Sequence, residues 1–148
     1  MEKEMKPQYR PLPALSPYVV KERYYRVKET HKFYVEKLKS IFKDRDIRVL
    51  DVGCANGEFL HILKNTFPNW RLEGIDPTPE FIKCAQKFEG LKGVNFKVGG
   101  INDISSDEYD LVLCMGVLQI FEEITDPLDR LINAANDTGV VMCDGLFN

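Results

Sequence analysis

The sequence contains no apolar run that approaches the roughly 18 residues typical of a membrane span. Its amino terminus is charged and proline-bearing, without the apolar core of a secretory signal. None of its four cysteines forms a C-x-x-C pair, so a structural zinc site has little support. Positive charge is not in excess either, because the formal net charge is −3 at pH 7. These absences predict a cytoplasmic protein that does not bind membranes, metals or, through broad electrostatics, nucleic acids.

The composition is that of one globular domain. A chain of 148 residues with 44% hydrophobic residues is long and apolar enough to bury a core, and no repeat or low-complexity segment divides it. In such a cytosolic chain we expect free thiols, which we interpret as small apolar residues. Three of them, Cys54, Cys114 and Cys143, fall at or near the ends of predicted strands and would face one crevice.

The most informative stretch runs from residue 47 to residue 60 and reads IRVLDVGCANGEFL. An apolar run ends in Asp51, a turn with Gly53 and Gly57 follows, and a helical pattern begins. This order predicts a buried parallel strand, a turn and the start of a helix. The two glycines permit positive φ and leave the backbone room to approach a ligand, and the helix points its amide end at the same place.

Three interpretations of this turn remain open. A nicotinamide-binding turn has the pattern G-x-G-x-x-G, whereas the middle glycine is missing here. The acid at Asp51 would repel the phosphates of a dinucleotide, but it suits a ligand with a cationic end. A strand–turn–helix that binds no ligand is the third possibility. We favour the cationic ligand.

A second acid follows the next predicted strand. The run from Trp70 to Ile75 ends in Asp76, about 20 residues after Gly53, where dinucleotide folds place an acid on the ribose hydroxyls. One carboxylate can accept from two vicinal hydroxyls. Thr78 then caps the next predicted helix, which is a sufficient structural reason for that residue.

Apolar runs and helical patterns alternate along the chain. The predicted helices after the first strand are Glu58–Thr66, Pro79–Phe88 and Ile124–Asn136, and the later strands are Val94–Val98, Tyr109–Cys114 and Val140–Cys143. Such alternation with short connections predicts an α/β fold, with a parallel sheet, right-handed crossovers and helices on both faces.

The N-terminal part, residues 1–44, is predicted to be a leader and a cover helix, and residues 45–148 a ligand-binding domain. Prolines in the first 17 residues predict an extended leader, and Ser16-Pro17 a helix start. Apolar residues at spacings of three and four from Val20 to Ile41 predict one long amphipathic helix. We interpret His31 on its apolar face as a packed or edge histidine rather than a base.

Three segments resemble motifs of the class I S-adenosylmethionine (SAM)-dependent methyltransferases. VLDVGCANG resembles the first motif, GIDPTPEFIKCA the second and YDLVLCMGVLQIF the fourth. The resemblance covers about residues 45–145 and implies a Rossmann-like three-layer sandwich with strand order 3-2-1-4-5. It also implies SAM as the cofactor, bound between strands 1 and 4.

The resemblance implies a set of cofactor-binding residues. Asp51 would order the turn and help hold the methionine end, Asp76 would hold the ribose, and Cys114 would lie over the cofactor. The full implied set is Asp51, Gly53, Cys54, Ala55, Gly57, Asp76, Pro77, Ile101, Asn102, Cys114 and Met115. On the N-terminal cover, the candidates to contact the methionine part are Tyr24, Tyr25 and Arg26.

The sequence departs from the family pattern in two places. Gly100 stands where the family usually has an acid for the adenine amino group, so Asn102, Asp103 or the Ile101 backbone would substitute. Asp103 has an equally good alternative role as the cap of a turn. No histidine occurs in residues 119–121 and no [ND]-P-P-[YF] motif is present, so no catalytic base is evident and we expect a small-molecule acceptor.

The family has two further strands after strand 5, and this sequence stops before them. We therefore expect a truncated chain, with self-association through the apolar edge of strand 5 as the second possibility. Our main hypothesis is a SAM-dependent methyltransferase or its cofactor-binding portion. The alternatives are a non-catalytic SAM-binding or assembly module and, less favoured, an NAD(P)-dependent oxidoreductase.

Overall fold

A computed structural model describes residues 21–104 and 108–145. The predicted leader and the helix start at Ser16-Pro17 lie outside the described residues. The strands are β1 (Arg48–Val52), β2 (Arg71–Asp76), β3 (Asn95–Val98), β4 (Tyr109–Met115) and β5 (Ala135–Asp144). The α-helices are α1 (Glu29–Phe42), α2 (Glu58–Thr66), α3 (Pro79–Lys87) and α4 (Thr125–Ala134). Short 3-10 turns occupy Lys21–Tyr25, Glu89–Leu91, Ile101–Asp103 and Leu118–Ile120.

The five strands form one sheet in the order β3-β2-β1-β4-β5, and every pairing is parallel. The predicted strand order and the α/β class are therefore confirmed. β1 is the central strand, since it pairs with β2 on one side and β4 on the other. β3 and β5 form the two edges of the described sheet.

The two faces of the sheet bury separate apolar clusters because successive side chains of a strand point to opposite sides. Val49 packs with residues of α1, α2 and α3, including Leu38 and Leu60. Leu50, the next residue, packs with Leu131 of α4 on the other face. Helices thus cover both faces, as the alternating sequence pattern predicts. In the described part of the chain, no helix has the length and apolar character to cross a membrane.

The N-terminal cover differs from its prediction. The single long helix is wrong: a 3-10 turn ends at Tyr25, and α1 begins only at Glu29. Tyr24 explains the break, because its ring is buried and stacks on Phe88 with 3.8 Å between the ring centroids. Its hydroxyl also donates to the Asn56 carbonyl at 2.6 Å. These contacts favour a bent segment over a continuous helix.

The junction of α4 and β5 also differs from its prediction. The helix ends at Ala134 instead of Asn136, and β5 begins at the next residue. Residues 137–139, predicted as a turn, form an irregular part of the strand, because Tyr109 pairs with Ala135 whereas Leu111 pairs with Val140. The Asn136 side chain donates to Asp110 at 3.0 Å and holds this segment against β4. All four cysteines are free, as expected.

Candidate functional site

A cleft of about 390 Å³ opens at the carboxyl ends of β1, β2 and β4. In the sheet order β2-β1-β4, the chain leaves β1 in one direction and later crosses to its other side. Such a switch point is where open α/β sheets bind ligands, and the volume lies within the usual range of ligand pockets. The structure therefore has a cleft at the position where the sequence predicts the ligand site.

The turn after β1 forms the floor of the cleft. Gly53, Ala55 and Gly57 have φ values of 74°, 49° and 80°, in the left-handed region. Two features disfavour a side chain at Gly53. One is its positive φ, and the other is that a Cβ would lie 2.4 Å from Cγ2 of Val117. This glycine therefore lets the loop after β4 pack closely over the turn.

Four backbone N–H groups of this turn are already bonded within the protein. Gly53 and Cys54 donate to the Ile75 carbonyl at 2.8 and 3.1 Å, and Gly57 donates to the Cys54 carbonyl at 2.9 Å. Ala55 donates to Oδ2 of Asp76 at 2.9 Å. A pyrophosphate-binding turn offers its N–H groups to the phosphates, whereas these four are not available to an anion.

Asp76, at the end of β2, is only 5% exposed and lies in the cleft wall. Its Oδ2 accepts from Ala55 and its Oδ1 accepts from the N–H of Thr78 at 2.9 Å. Burial raises the pKa of this carboxyl, and the backbone donors of Thr78 and Ala55, together with the Thr78 side chain, act in the opposite direction. Each oxygen keeps capacity for a further donor, so the carboxylate can also accept from a pair of ligand hydroxyls.

Asp51, at β1, is 4% exposed and lies in the same wall. Within residues 21–104 and 108–145, no donor forms a hydrogen bond to its carboxylate. Burial raises the pKa of Asp51 to about 8, and the neighbouring charge of Asp76 adds to the shift. A buried carboxylate without a protein partner suits a ligand that brings positive charge.

A further part of the cleft lining comes from the N-terminal cover. Arg23 and Lys28 line the cleft and bind Glu58 of α2, with N–O distances of 2.8 and 3.3 Å. Glu58 is 8% exposed, so these ion pairs fasten the cover segment to the start of α2 at a largely buried position.

The sequence analysis predicts other residues of this cover, namely Tyr24, Tyr25 and Arg26, as contacts to the methionine part of the cofactor. Tyr24 is buried against Phe88, whereas Tyr25 and Arg26 are exposed, with 68% of Tyr25 accessible. Arg23, Lys28 and His31 line the cleft instead. Helical periodicity does not indicate this set, because the break after Tyr25 changes which side of the segment faces the cleft.

His31 also lines the cleft, and its ring stacks on Phe59 with 5.2 Å between centroids. This packing agrees with the interpretation of a packed or edge histidine. In the described part of the chain its buried Nδ1 has no hydrogen-bond partner. Burial, with Lys28 as the next cause, lowers the pKa of His31 below 6.5, so the ring is neutral at pH 7.

The structure brings most of the predicted cofactor residues together. The members that line the cleft are Asp51, Gly53, Cys54, Ala55, Asp76, Pro77, Ile101 and Met115. Gly57, Asn102 and Cys114 are not in its lining. A Cβ at Gly57 would meet Leu91 at 2.8 Å, so this glycine serves the packing behind the turn. Cys114 is fully buried in the α4-side cluster, and Asn102 is exposed.

The loop after β3 gives Asp103 its structural role. Oδ2 of Asp103 accepts from the N–H of Gly100 at 2.8 Å, which is the capped turn that the sequence left as one alternative. Gly100 and Ile101 reach the cleft lining, but Asp103 does not. The loop and 3-10 turn after β4 add lining residues that the sequence did not select, namely Gly116, Val117, Gln119, Ile120 and Phe121.

Comparison with known proteins identifies a family that matches most of the chain. A family model described as "Methyltransferase domain" matches residues 50–141. The "Ubiquinone biosynthesis O-methyltransferase" of Rickettsia bellii (strain OSU 85-389) is 27% identical over 114 residues, which are 74% of this chain and 47% of that protein. The "Malonyl-[acyl-carrier protein] O-methyltransferase" of Acetivibrio thermocellus is 28% identical over 94 residues, 63% of this chain and 33% of that protein.

A solved structure is also similar. The plantazolicin methyltransferase BpumL in complex with SAH matches with a TM-score of 0.69 and 25% identity, covering 87% of this chain and 51% of that one. The chain thus spans about half, or less, of the length of these three proteins.

Proposed function

Because the chain belongs to the methyltransferase domain family, we propose that it forms the cofactor-binding part of an enzyme that uses SAM as methyl donor. The observation that carries this proposal is the pair of buried acids, Asp51 and Asp76, in one cleft at the switch point of the sheet. SAM combines a ribose with a positively charged sulfonium and ammonium end. The cleft offers one acid for each of these features, and hydrogen bonds to a charged group are stronger than those between neutral groups.

Each wall residue then has a defined task. Asp76 accepts from the ribose hydroxyls while its bonds to Ala55 and Thr78 keep it in place. Pro77 and Ile101 offer apolar surface for the adenine. Asp51 faces the positive end of the ligand. The N–H groups of residues 53, 54, 55 and 57 already have protein acceptors, which fits a cationic ligand better than an anionic one.

In the reaction, the main task of the protein is to align the acceptor with the methyl group. Bound SAM supplies a methyl group on a good leaving group, so the protein must hold the acceptor in line with that methyl. The cover residues Arg23, Lys28 and His31 and the turn after β4 lie where they would shape the acceptor side. We propose a small-molecule acceptor, and the names of the two O-methyltransferase relatives support methylation at oxygen.

The nicotinamide alternative is disfavoured by the structure of the turn. Its N–H groups at residues 53, 54, 55 and 57 are bonded to protein oxygens, and an acid replaces the neutral surroundings that phosphates need. A non-catalytic SAM-binding module has the same cleft as an enzyme and differs only in turnover. Transfer of labelled methyl from SAM to an acceptor pool separates these two.

Calorimetric titration with SAM and with its product, S-adenosylhomocysteine (SAH), tests the proposed site. Asp76→Ala should weaken the binding of both by about 1–3 kcal/mol, the cost of losing hydrogen bonds to a charged group. Asp126→Ala is the control, because it removes an acid of the same charge from an exposed position on α4, where Asp126 pairs with Arg130. If the folded chain binds NADH or NADPH but binds neither SAM nor SAH, the proposal is wrong.

A further inference from the structure

The two acids of the cleft differ in the support that the protein gives them. Asp76 accepts two backbone hydrogen bonds, from Ala55 and Thr78, whereas the carboxylate of Asp51 accepts none from the described residues. Asp51 is 4% exposed, and it forms part of the cleft wall. Within the described residues no donor reaches its carboxylate, so a ligand that enters the cleft can become its partner.

The charges around Asp51 do not favour its ionised form. The titratable groups that act on it or feel its charge are Asp76, Cys54 and Cys114. Burial raises the pKa of both thiols, so they are neutral, and Asp76 contributes negative charge.

The two cations of the cleft wall do not change this balance. Arg23 and Lys28 are bound to Glu58 on the cover side. Within the described residues, nothing thus compensates a negative charge on Asp51, and the protonated form is preferred in the empty cleft.

We propose that Asp51 is protonated in the empty cleft and releases its proton to solvent when the α-ammonium group of SAM or SAH enters. This inference rests on the proposed function and adds a specificity to it: Asp51 selects ligands by positive charge. No covalent bond of the ligand changes in this step. The proton passes to the buffer, and the ligand cation takes its place beside the carboxylate.

Binding must then depend on pH in one direction. The pKa of Asp51 in the empty chain is about 8, and a bound cation lowers it. Below that pKa, the affinity for SAM rises with pH by up to about tenfold per pH unit, because each binding event has to release a proton. Above about pH 8 the affinity levels off, since Asp51 is already ionised.

Calorimetry of the whole chain tests this coupling directly. Titrations at pH 7 in two buffers that differ in ionisation enthalpy give the number of protons released per ligand. SAM and SAH should each release on the order of one proton. Adenosine, which has the ribose and the base without a charged end, should release none. Release of no proton by bound SAM would overturn the inference.

Two variants assign the proton to its residue. Asp51→Asn should abolish the release and weaken SAM and SAH by at least about tenfold, while adenosine affinity stays within about twofold. Asp76→Asn should weaken all three ligands and keep a proton release with SAM, although a smaller one, because the charge of Asp76 adds to the protonation of Asp51. Thermal unfolding establishes that both variants are folded.

The variants also separate two kinds of failure. If Asp51→Asn changes SAM and adenosine affinity by the same factor, or still releases the proton, the inference is wrong although SAM binding stands. If the folded wild-type chain binds neither SAM nor SAH, the proposed function itself fails.

Discussion

The carboxylate of Asp76 accepts the backbone N–H of Ala55 at 2.9 Å, from the end of β2 to the turn after β1. Ala55 has a φ of 49°, a conformation that residues with a side chain rarely adopt. The proposed ribose anchor therefore also holds the strained residue of the turn. Binding and local stability are linked through one side chain.

Removal of the Asp76 carboxylate should therefore destabilise the chain even without ligand. Asp76→Ala leaves the N–H groups of Ala55 and Thr78 without their acceptor, and we expect a loss of about 1–3 kcal/mol in the free energy of unfolding. Urea denaturation measures it, with Asp126→Ala as the control of equal charge change. Equal stability of Asp76→Ala and wild type would show that the turn does not depend on this carboxylate.

Gly53 and Gly93 form a matched pair for testing the close approach at the turn. Both have positive φ, but a Cβ at Gly53 would lie 2.4 Å from Val117, whereas nothing lies within 4 Å of one at Gly93. Gly93→Ala should cost about 1–2 kcal/mol for backbone strain alone. Gly53→Ala should cost a further 1–3 kcal/mol or so for overpacking.

Chemical denaturation measures both alanine variants, and a third substitution identifies the clash. Val117→Ala removes the methyl group in the way and should restore part of the stability of Gly53→Ala in the double variant. Equal losses at the two glycines would mean that contact with Val117 is unimportant.

The stability of the chain should fall as pH rises through the titration range of Asp51. Its pKa is about 8 in the folded chain against 3.8 as its ordinary value. Between these values the folded state holds a proton that the unfolded state has lost, so the free energy of unfolding decreases with pH. The slope from this group is at most about 1.4 kcal/mol per pH unit.

Asp51→Asn isolates that effect because the amide does not titrate. The stability of the variant relative to wild type should increase from pH 5 to pH 8 and then level off. Urea denaturation at a series of pH values gives both curves. Parallel curves would show that Asp51 has an ordinary pKa in the folded chain.

Tyr24 should anchor the N-terminal cover, whereas its neighbour Tyr25 should not. Tyr24→Phe removes the hydrogen bond to the Asn56 carbonyl but keeps the stack on Phe88, so we expect a loss of about 1 kcal/mol. Tyr25→Phe, at a residue that is 68% exposed, should have little effect. Hydrogen exchange of residues 21–28 should rise only in Tyr24→Phe, and an equal rise in both would contradict this role.

Much of the fold follows from local patterns. The apolar run before Asp51 predicts β1, and the chain alternates strands and helices with the periods that each element requires. Strand order came from the resemblance to methyltransferases, and the structure confirms it. The least accurate boundaries are those at residues 26–28 and 135–139, where tertiary contacts of Tyr24 and Asn136 override the local periodicity.

Some residues of the cleft could be predicted from the sequence, and others could not. Asp51, Gly53 and Asp76 could be selected from sequence because each follows a predicted strand, and the ends of parallel strands meet at one edge of a sheet. Arg23, Lys28 and His31 could not, since their place in the wall depends on a break that only packing creates. Cys114 follows the same strand-end rule, yet it is buried towards α4 because the alternation along β4 decides which face each residue takes.

The sequence by itself determined the order of elements, the parallel sheet and the residue types at the strand ends, because these depend on interactions between near neighbours in the chain. Only the tertiary structure decided which acid has donors among the described residues and which has none there. In the sequence, Asp51 and Asp76 are equivalent, because each is an aspartate at the end of a predicted strand. Burial without a partner distinguishes them, because hydrogen-bond supply and desolvation depend on groups that are distant in sequence and come together only in the fold.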